Sequence, residues 1–339
     1  MRSANLCLPL LLLSACVPLL AEDALDDNGE NAWSAVGLSG RVAWTTIEDG
    51  DSDVVFLDPA DCHRGVVYAR AGEDRAPALS PGGGAVALVT DEFGQPDILL
   101  VHLGHAADNR CPVRLTETPE PESELDWSTD GERIYYSVAE DPDHETISLF
   151  MDPDSLETGY LTQVDSLYYT HAVTGETEPQ SLEPGNYHHP RHIDGFGTVC
   201  VHRDWSGGAH AELALVHDAL LTSALETPGT EVTDPPRRYP DDTLLVPVRR
   251  GMDLWFVHYD PRRGEVLAET PAPPGLHRPI PDPTDAGSGW YLCQTGVAGD
   301  PDSELVFVHG LFDGELELLP LTDNDYYDGE TSWSVIRGD

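Results

Sequence analysis

Short apolar runs bounded by Gly, Asp and Pro recur along this chain, and no long segment carries the 3.6-residue period of an amphipathic helix. One run occurs at Val42-Ala43-Trp44, Val86-Ala87-Leu88, Ile134-Tyr135-Tyr136, Val199-Cys200-Val201, Leu244-Leu245-Val246 and Trp290-Tyr291-Leu292. The starts are 44, 48, 65, 45 and 46 residues apart, and an insertion from Glu140 to Asp165 absorbs the long third interval. A second run follows each, polar at its ends and apolar between: Asp53 to Asp58, Asp97 to His102, Ser166 to His171, Glu212 to His217, Asp253 to His258 and Glu304 to His309. β-Branched and aromatic residues between turn formers read as strands. The chain is therefore expected to be all-β.

Repeats of about 40–45 residues holding several short strands mark propeller blades, because one such unit cannot bury its own apolar faces and needs a neighbour on each side. The repeats predict a six-bladed β-propeller of four-stranded antiparallel blades, forming a single domain over residues 32–339. Ser332-Trp333-Ser334-Val335-Ile336 lies where a further copy of the first run would begin. Added as a strand to an incomplete first blade, it would close the ring and remove free sheet edges. The alternative is a seven-bladed ring, with the neighbourhood of Thr146 to Met151 as a degenerate extra blade; a β-helix is the more distant one.

Two stretches are more specific. Pro77-Ala78-Leu79-Ser80-Pro81-Gly82-Gly83 leads into Ala85-Val86-Ala87 and then Asp97 to Val101, and Leu125-Asp126-Trp127-Ser128-Thr129-Asp130-Gly131 leads into Ile134-Tyr135-Tyr136. They resemble the PD40, or WD40-like, repeat of TolB-type propellers: a Pro, a Trp-Ser-Pro-Asp-Gly turn, an apolar strand, and a second strand ending in Asp. Leu115-Thr116 and Leu161-Thr162 look like the pair that ends such blades. The likeness is sharp from about Arg75 to Tyr136; elsewhere the strands persist and the turn is lost, with Asp194-Gly195 surviving in the fourth repeat. Asp-Gly suits the turn because Gly accepts positive φ and Asp bonds its own backbone, and the Trp is expected to fill the wedge between blades. These residues build a fold and imply little about function.

The N-terminus sets the compartment. Arg2 is the only charge before an apolar run from Leu6 to Leu13, which ends in Leu13-Ser14-Ala15-Cys16. Residues 1–15 read as an export signal, too short to span a bilayer. Their end resembles the lipobox of bacterial lipoproteins, which implies a diacylglycerol on Cys16 and a mature protein anchored on the extracytoplasmic side of a bacterial membrane. Cleavage near Ala21, giving a secreted protein, is the alternative. Residues 16–31 read as an acidic tether.

Charge then narrows the partners. There are 61 Asp and Glu against 18 Arg and no Lys, a net charge of −43. Such a surface repels nucleic acid and anionic headgroups. A saline habitat and arginine-favouring codon usage are both accounts of it. Cys62 and Cys111 follow the second run of adjacent repeats, so their loops are expected to meet as a disulfide in an oxidising compartment. Cys200 and Cys293, one blade apart, are expected to be buried free thiols.

Against this acidity, five arginines fall in the segments that lead into the blades: Arg75-Ala76-Pro77, His188-His189-Pro190-Arg191-His192, Pro236-Arg237-Arg238 and His277-Arg278-Pro279. The last equivalent is Asp325-Tyr326-Tyr327-Asp328. In a propeller these segments serve the mouth of the central channel. Arg75, His189, Arg191, Arg237, Arg238, His277, Arg278 and Tyr326 are therefore the candidate ligand-binding residues, a basic, aromatic-edged funnel. Guanidinium forks match carboxylates, which points to an acidic peptide, a chain terminus or a small anion. The competing reading pairs each arginine with a local Asp or Glu. His102, His171, His217, His258 and His309 occupy one place in five repeats, too far apart around a ring to share an ion, and are expected to be structural.

No GxSxG elbow, HExxH or phosphate-binding glycine loop is present, and Gly82-Gly83-Gly84 precedes a strand instead of a helix. The expected function is a non-catalytic envelope lipoprotein that binds or scaffolds a protein or peptide, with no catalytic residues and no cofactor. The alternative is a metal-dependent, lyase-like or other carbohydrate-active propeller enzyme, for which His188, His189, His192 and His277 are the candidate ligands. A weak calcium contact through Asp141, Asp143 and Asp152 of the insertion is a further expectation.

Overall fold

The computed structural model describes residues 40–335, apart from 49, 59–62, 104–111, 141–147, 152–157, 162–163, 181–185, 205–209, 218–219, 225–230, 285–286, 297–302 and 323–326. Cys16, Cys62, Cys111, Tyr326, Asp141, Asp143 and Asp152 lie outside the described residues.

Six antiparallel sheets follow one another along the chain. The first blade holds β1 (Arg41–Ile47), β2 (Asp53–Asp58) and β3 (His63–Tyr68). The second holds β4 (Asp74–Leu79), β5 (Ala85–Thr90), β6 (Asp97–His102) and β7 (Val113–Arg114). In the third, β8 (Glu122–Trp127), β9 (Arg133–Glu140), β12 (Val164–His171) and β13 (Thr177–Pro179) enclose a separate hairpin, β10 (Ser148–Met151) with β11 (Thr158–Leu161). The fourth is β14 (Tyr187–Ile193), β15 (Gly197–Asp204), β16 (His210–His217) and β17 (Leu220–Ala224). The fifth has a split first strand, β18 (Glu231–Val232) and β19 (Arg237–Arg238), then β20 (Leu244–Arg250), β21 (Asp253–Asp260) and β22 (Glu265–Pro271). The sixth is β23 (Leu276–Pro281), β24 (Trp290–Thr295), β25 (Leu305–His309) and β26 (Glu317–Pro320). Finally β27 (Tyr327–Ser334) pairs antiparallel with β1, Val42 opposite Trp333 and Thr46 opposite Asp328, and supplies the innermost strand of the first blade.

Burial explains why the apolar runs are continuous. Every residue of β5 is buried, because a strand near the middle of a blade is covered on both faces by neighbouring blades; a half-exposed sheet would alternate. The outer β22 is largely exposed. Six apolar clusters fill the seams between blades, one per seam, including the seam between the sixth blade and the first, where Phe307 meets Trp333. A full set of seams is what closure requires. Among the described residues the seam between the third and fourth blades holds the smallest apolar cluster, with Leu167, Tyr187, Cys200, Ala214 and Val216. The Trp127 indole wedges between second and third blades, as expected, and its N–H donates to the Ala78 carbonyl (2.8 Å). Ser128 and the Glu132 N–H both donate to Asp130 in the Asp-Gly turn, where Gly131 has φ +74°.

The ring has the six blades that the repeats predict, and the stretch around Thr146 to Met151 contributes only the β10–β11 hairpin, so the seven-bladed and β-helix alternatives fall away. The runs beginning at Val42, Val86, Ile134, Val199, Leu244 and Trp290 are the second strands of their blades; the segments before them are the innermost strands. Accordingly the C-terminal Ser332 to Ser334 completes a copy of an innermost strand instead of starting a copy of the second. Cys200 and Cys293 are buried free thiols in β15 and β24, and burial pushes both thiols up.

Candidate functional site

The innermost strands share one irregularity. Each loses register with its neighbour: between Arg75 and Ala78, Ser123 and Asp126, His188 and Arg191, and His277 and Ile280. In the first blade the shift lies opposite Ala43 and Thr45, and in the fifth the strand is broken outright between Val232 and Arg237. At five of these bulges one non-glycine residue takes positive φ: Ala76 (50°), Glu124 (60°), His189 (51°), Arg278 (48°) and Glu330 (49°). Such residues cost about 1–3 kcal/mol each and persist only where the surroundings hold them. Proline follows at 77, 190 and 279 and occupies 235 and 236. Lacking an N–H, it leaves no donor unpaired where the ladder breaks. A bulge re-aims its side chain, and these lie on the innermost strand of each blade.

Around the ring, from the first blade to the sixth, these positions read Glu330, Ala76, Glu124, His189, Asp234 and Arg278. The carboxylates on the first half are engaged. Glu330 accepts from the Ala76 N–H (3.0 Å) of the next blade and from the Thr45 hydroxyl (3.2 Å). Glu124 repeats the device, accepting from the His189 N–H of its next blade (2.7 Å) and the Ser137 hydroxyl (2.7 Å). Its second oxygen faces His189 Nδ1 (3.2 Å) and His188 Nδ1 (3.6 Å), and His188 Nε2 faces Asp165 (3.2 Å). Burial pushes the Glu124 carboxyl up, but the two histidines and the His189 N–H outweigh it and hold it well below the usual range. Burial in turn drives the His189 imidazole down, leaving it neutral near pH 7.

One step further along the strands lies a second layer. Asp126, Arg191 and Arg237 stand at equivalent register positions of the third, fourth and fifth blades. Arg191 is only 5% exposed, its Nε donating to the Pro236 carbonyl (2.6 Å) and its Nη1 to that of Pro190 (2.7 Å). Arg238 donates to the carbonyls of His192 (2.6 Å) and Trp127 (3.1 Å) and to the Thr129 hydroxyl (3.1 Å). Both arginines pin one blade to another. Arg237 is different: its Nε is buried without a hydrogen-bond partner among the described residues. Burial, then the charges of Arg191 and Arg278, bring its guanidinium down to about 9, against the opposing pull of Asp126 and Asp234. Arg278 holds a long ion pair to Asp234 (3.7 Å) and lies against the Tyr327 phenol, which is pushed up, chiefly by burial.

Arg75, His189, Arg191, Arg237, Arg238, His277 and Arg278 thus all lie on innermost strands. His189, Arg191, Arg237 and Arg278 come together on blades four to six, whereas Arg75 is on the second blade, across the ring. Tyr327 lies on β27, the innermost strand of the first blade. The acids Glu124, Asp126, Asp234 and Glu330 were missed in the sequence; their equivalence to the Ala76 and His189 positions is the signal that finds them. The third-strand histidines lie on separate blades: His258 bonds Thr243 (2.7 Å) and stacks on Tyr239 (4.1 Å), and His309 packs on Trp290 (4.9 Å). His192 stacks on Tyr135 (4.5 Å). Among the described residues no three His, Cys, Asp or Glu side chains form a metal-holding group.

Neither known sequence families nor curated protein sequences match the chain. Solved structures do match by shape. TolB from Acinetobacter baumannii aligns at TM-score 0.65 with 15% identity, over 89% of this chain and 69% of that one. An oligogalacturonate lyase in complex with manganese aligns at 0.55 with 14% identity, over 85% and 74%. An acylaminoacyl peptidase from Pyrococcus horikoshii aligns at 0.53 with 14% identity, over 84% of this chain but 51% of the peptidase. At these identities the likeness is one of fold: this chain is a six-bladed propeller built like that of TolB.

Proposed function

We propose that this protein is an exported, non-catalytic binding propeller, tethered through lipid on Cys16, that takes an envelope or secreted protein or peptide at the mouth of its channel. The observation that carries the reading is the arc of cations on blades four to six, with Arg237 half-buried beside Arg191 and Arg278 and its Nε without a hydrogen-bond partner among the described residues, in a chain of net charge −43. An unmet guanidinium N–H opposes folding, so a ligand that completes it supports this reading of its place. Arg75, Arg237, His277 and Arg278 are the contacts in this reading, and His189, Arg191 and Arg238 hold the blades that carry them. The lyase alternative needs histidines free for a metal, whereas His188 and His189 face Glu124 and His192 is stacked on Tyr135.

The test is a pull-down from detergent-solubilised envelope with the native lipidated protein, beside a variant in which Arg75, Arg237 and Arg278 are reversed to Glu. A partner retained by the first and lost by the second supports the reading. Equal capture by both overturns it. Cys16→Ala should move the protein from the detergent phase to the aqueous phase of a Triton X-114 partition.

A further inference from the structure

The basic arc has a depth as well as a sign. The bulge residues His189 and Arg278 form an outer layer, and Arg191 and Arg237 lie one register step beyond it. Six seams close the ring, so the channel is walled on every side. A segment from the middle of a polypeptide can reach the inner layer only as a doubled loop, carrying two strands of backbone past the bulges. A chain end enters singly. The two layers together offer the right chemistry: in the inner one Arg237 Nε lacks a hydrogen-bond partner among the described residues, and just outside it the ion pair of Arg278 to Asp234 is 3.7 Å long, so that a better acceptor would displace it. Two adjacent guanidinium groups, with the neutral imidazole of His189 beside them, match the two oxygens of a carboxylate.

From this, and resting on the channel-mouth reading above, we infer that the ligand is read at its C-terminus, its terminal carboxylate held by Arg237 and Arg278. The fifth blade is built for it. In its first strand four residues, Thr233 to Pro236, separate the paired Val232 and Arg237, against two at the other bulges, and this longer break falls just before Arg237. Asp234 then acts as a stand-in acceptor for Arg278 until the carboxylate arrives.

The experiment uses the full chain, immobilised, with a random nonapeptide pool carrying free C-termini, the same pool amidated, and a free-acid pool lacking Asp and Glu. Retained peptides are quantified by mass spectrometry. Both free-acid pools should be retained about 30-fold over the amidated pool, and the preference should vanish in Arg237→Met and fall in Arg278→Gln. Urea midpoints of both variants, matched to the parent, show that they are folded. Equal retention of the amidated pool overturns the inference while leaving a channel-mouth binder standing. Retention confined to peptides with Asp or Glu overturns it in favour of side-chain recognition. No retention of any pool removes both the inference and the peptide reading beneath it.

Discussion

The two halves of the channel wall use the same backbone device for opposite ends. On blades one to three the bulges present Glu330 and Glu124, and each carboxylate is taken up by a backbone N–H of the following blade. On blades four to six the bulges and the layer beneath present Arg237, whose Nε has no hydrogen-bond partner among the described residues, and Arg278, whose ion pair to Asp234 is 3.7 Å long. An acid at a bulge can accept from the next strand's N–H and so clamp two blades. A guanidinium has no acceptor lone pair and cannot serve that N–H. The acids Glu330 and Glu124 thus clamp their blades to the next, whereas Asp234, the acid of the fifth blade, faces Arg278 instead.

Removing a clamp should produce the largest effect. Glu124→Ala leaves the His189 N–H, the Ser137 hydroxyl and two imidazoles without their acceptor, in the seam with the smallest apolar cluster among the described residues. It should cost about 3 kcal/mol in urea unfolding; a loss under ~1 kcal/mol would show that this sector is not clamped. Glu122, at the start of β8, shows that acids here do not all stabilise. It is 1% exposed, and burial, with the charge of Asp97, pushes its carboxyl up to about 7 against the bond from Thr118. The folded value lies above the unfolded one, so its contribution is complete below about pH 4.5 and is lost as pH rises through about 7. Glu122→Gln should therefore raise stability at pH 8 by on the order of 2–3 kcal/mol and flatten the decline between pH 5 and 8; an unchanged profile would refute the assignment. Glu330→Ala, which leaves the half-buried Ala76 N–H and the Thr45 hydroxyl unpaired, should cost about 1–2 kcal/mol. Arg237→Met should be the mildest, within about 1 kcal/mol and in the stabilising direction, because it replaces a buried unpaired charge by an apolar stem. A large loss from that substitution would mean that Arg237 is a structural arginine after all.

Much of this division was legible in the sequence, and the reason is local. Proline marks four of the six bulges, and the short motifs around them could be read as the segments that face the channel. The blade rhythm was visible because each second strand, covered on both faces, is an unbroken apolar run. The clamps were not visible. Glu124 and Glu330 lack the following proline, belong to the commonest charged types in the chain, and acquire their role only when the next blade brings an N–H to them. Arg191 and Arg238 looked interchangeable with Arg237; only the carbonyls that ring closure places around the first two tell them apart. Strand order within a blade was misjudged for a similar reason. The bulge breaks up the polar-apolar pattern of the innermost strand, so the smoother second strand looked like the first.

The pairing of β27 with β1 joins residues nearly the whole length of the domain apart, Arg41 with Ser334. At ~5–20 residues per second of synthesis, the opening strand is left without its partner for on the order of tens of seconds. During that interval its edge is bare, and any premature collapse would present it to other chains. Nothing final is made until the last turn of sequence emerges. A fusion that blocks the tail should for the same cause lower the yield of monomer far more than one at the N-terminus.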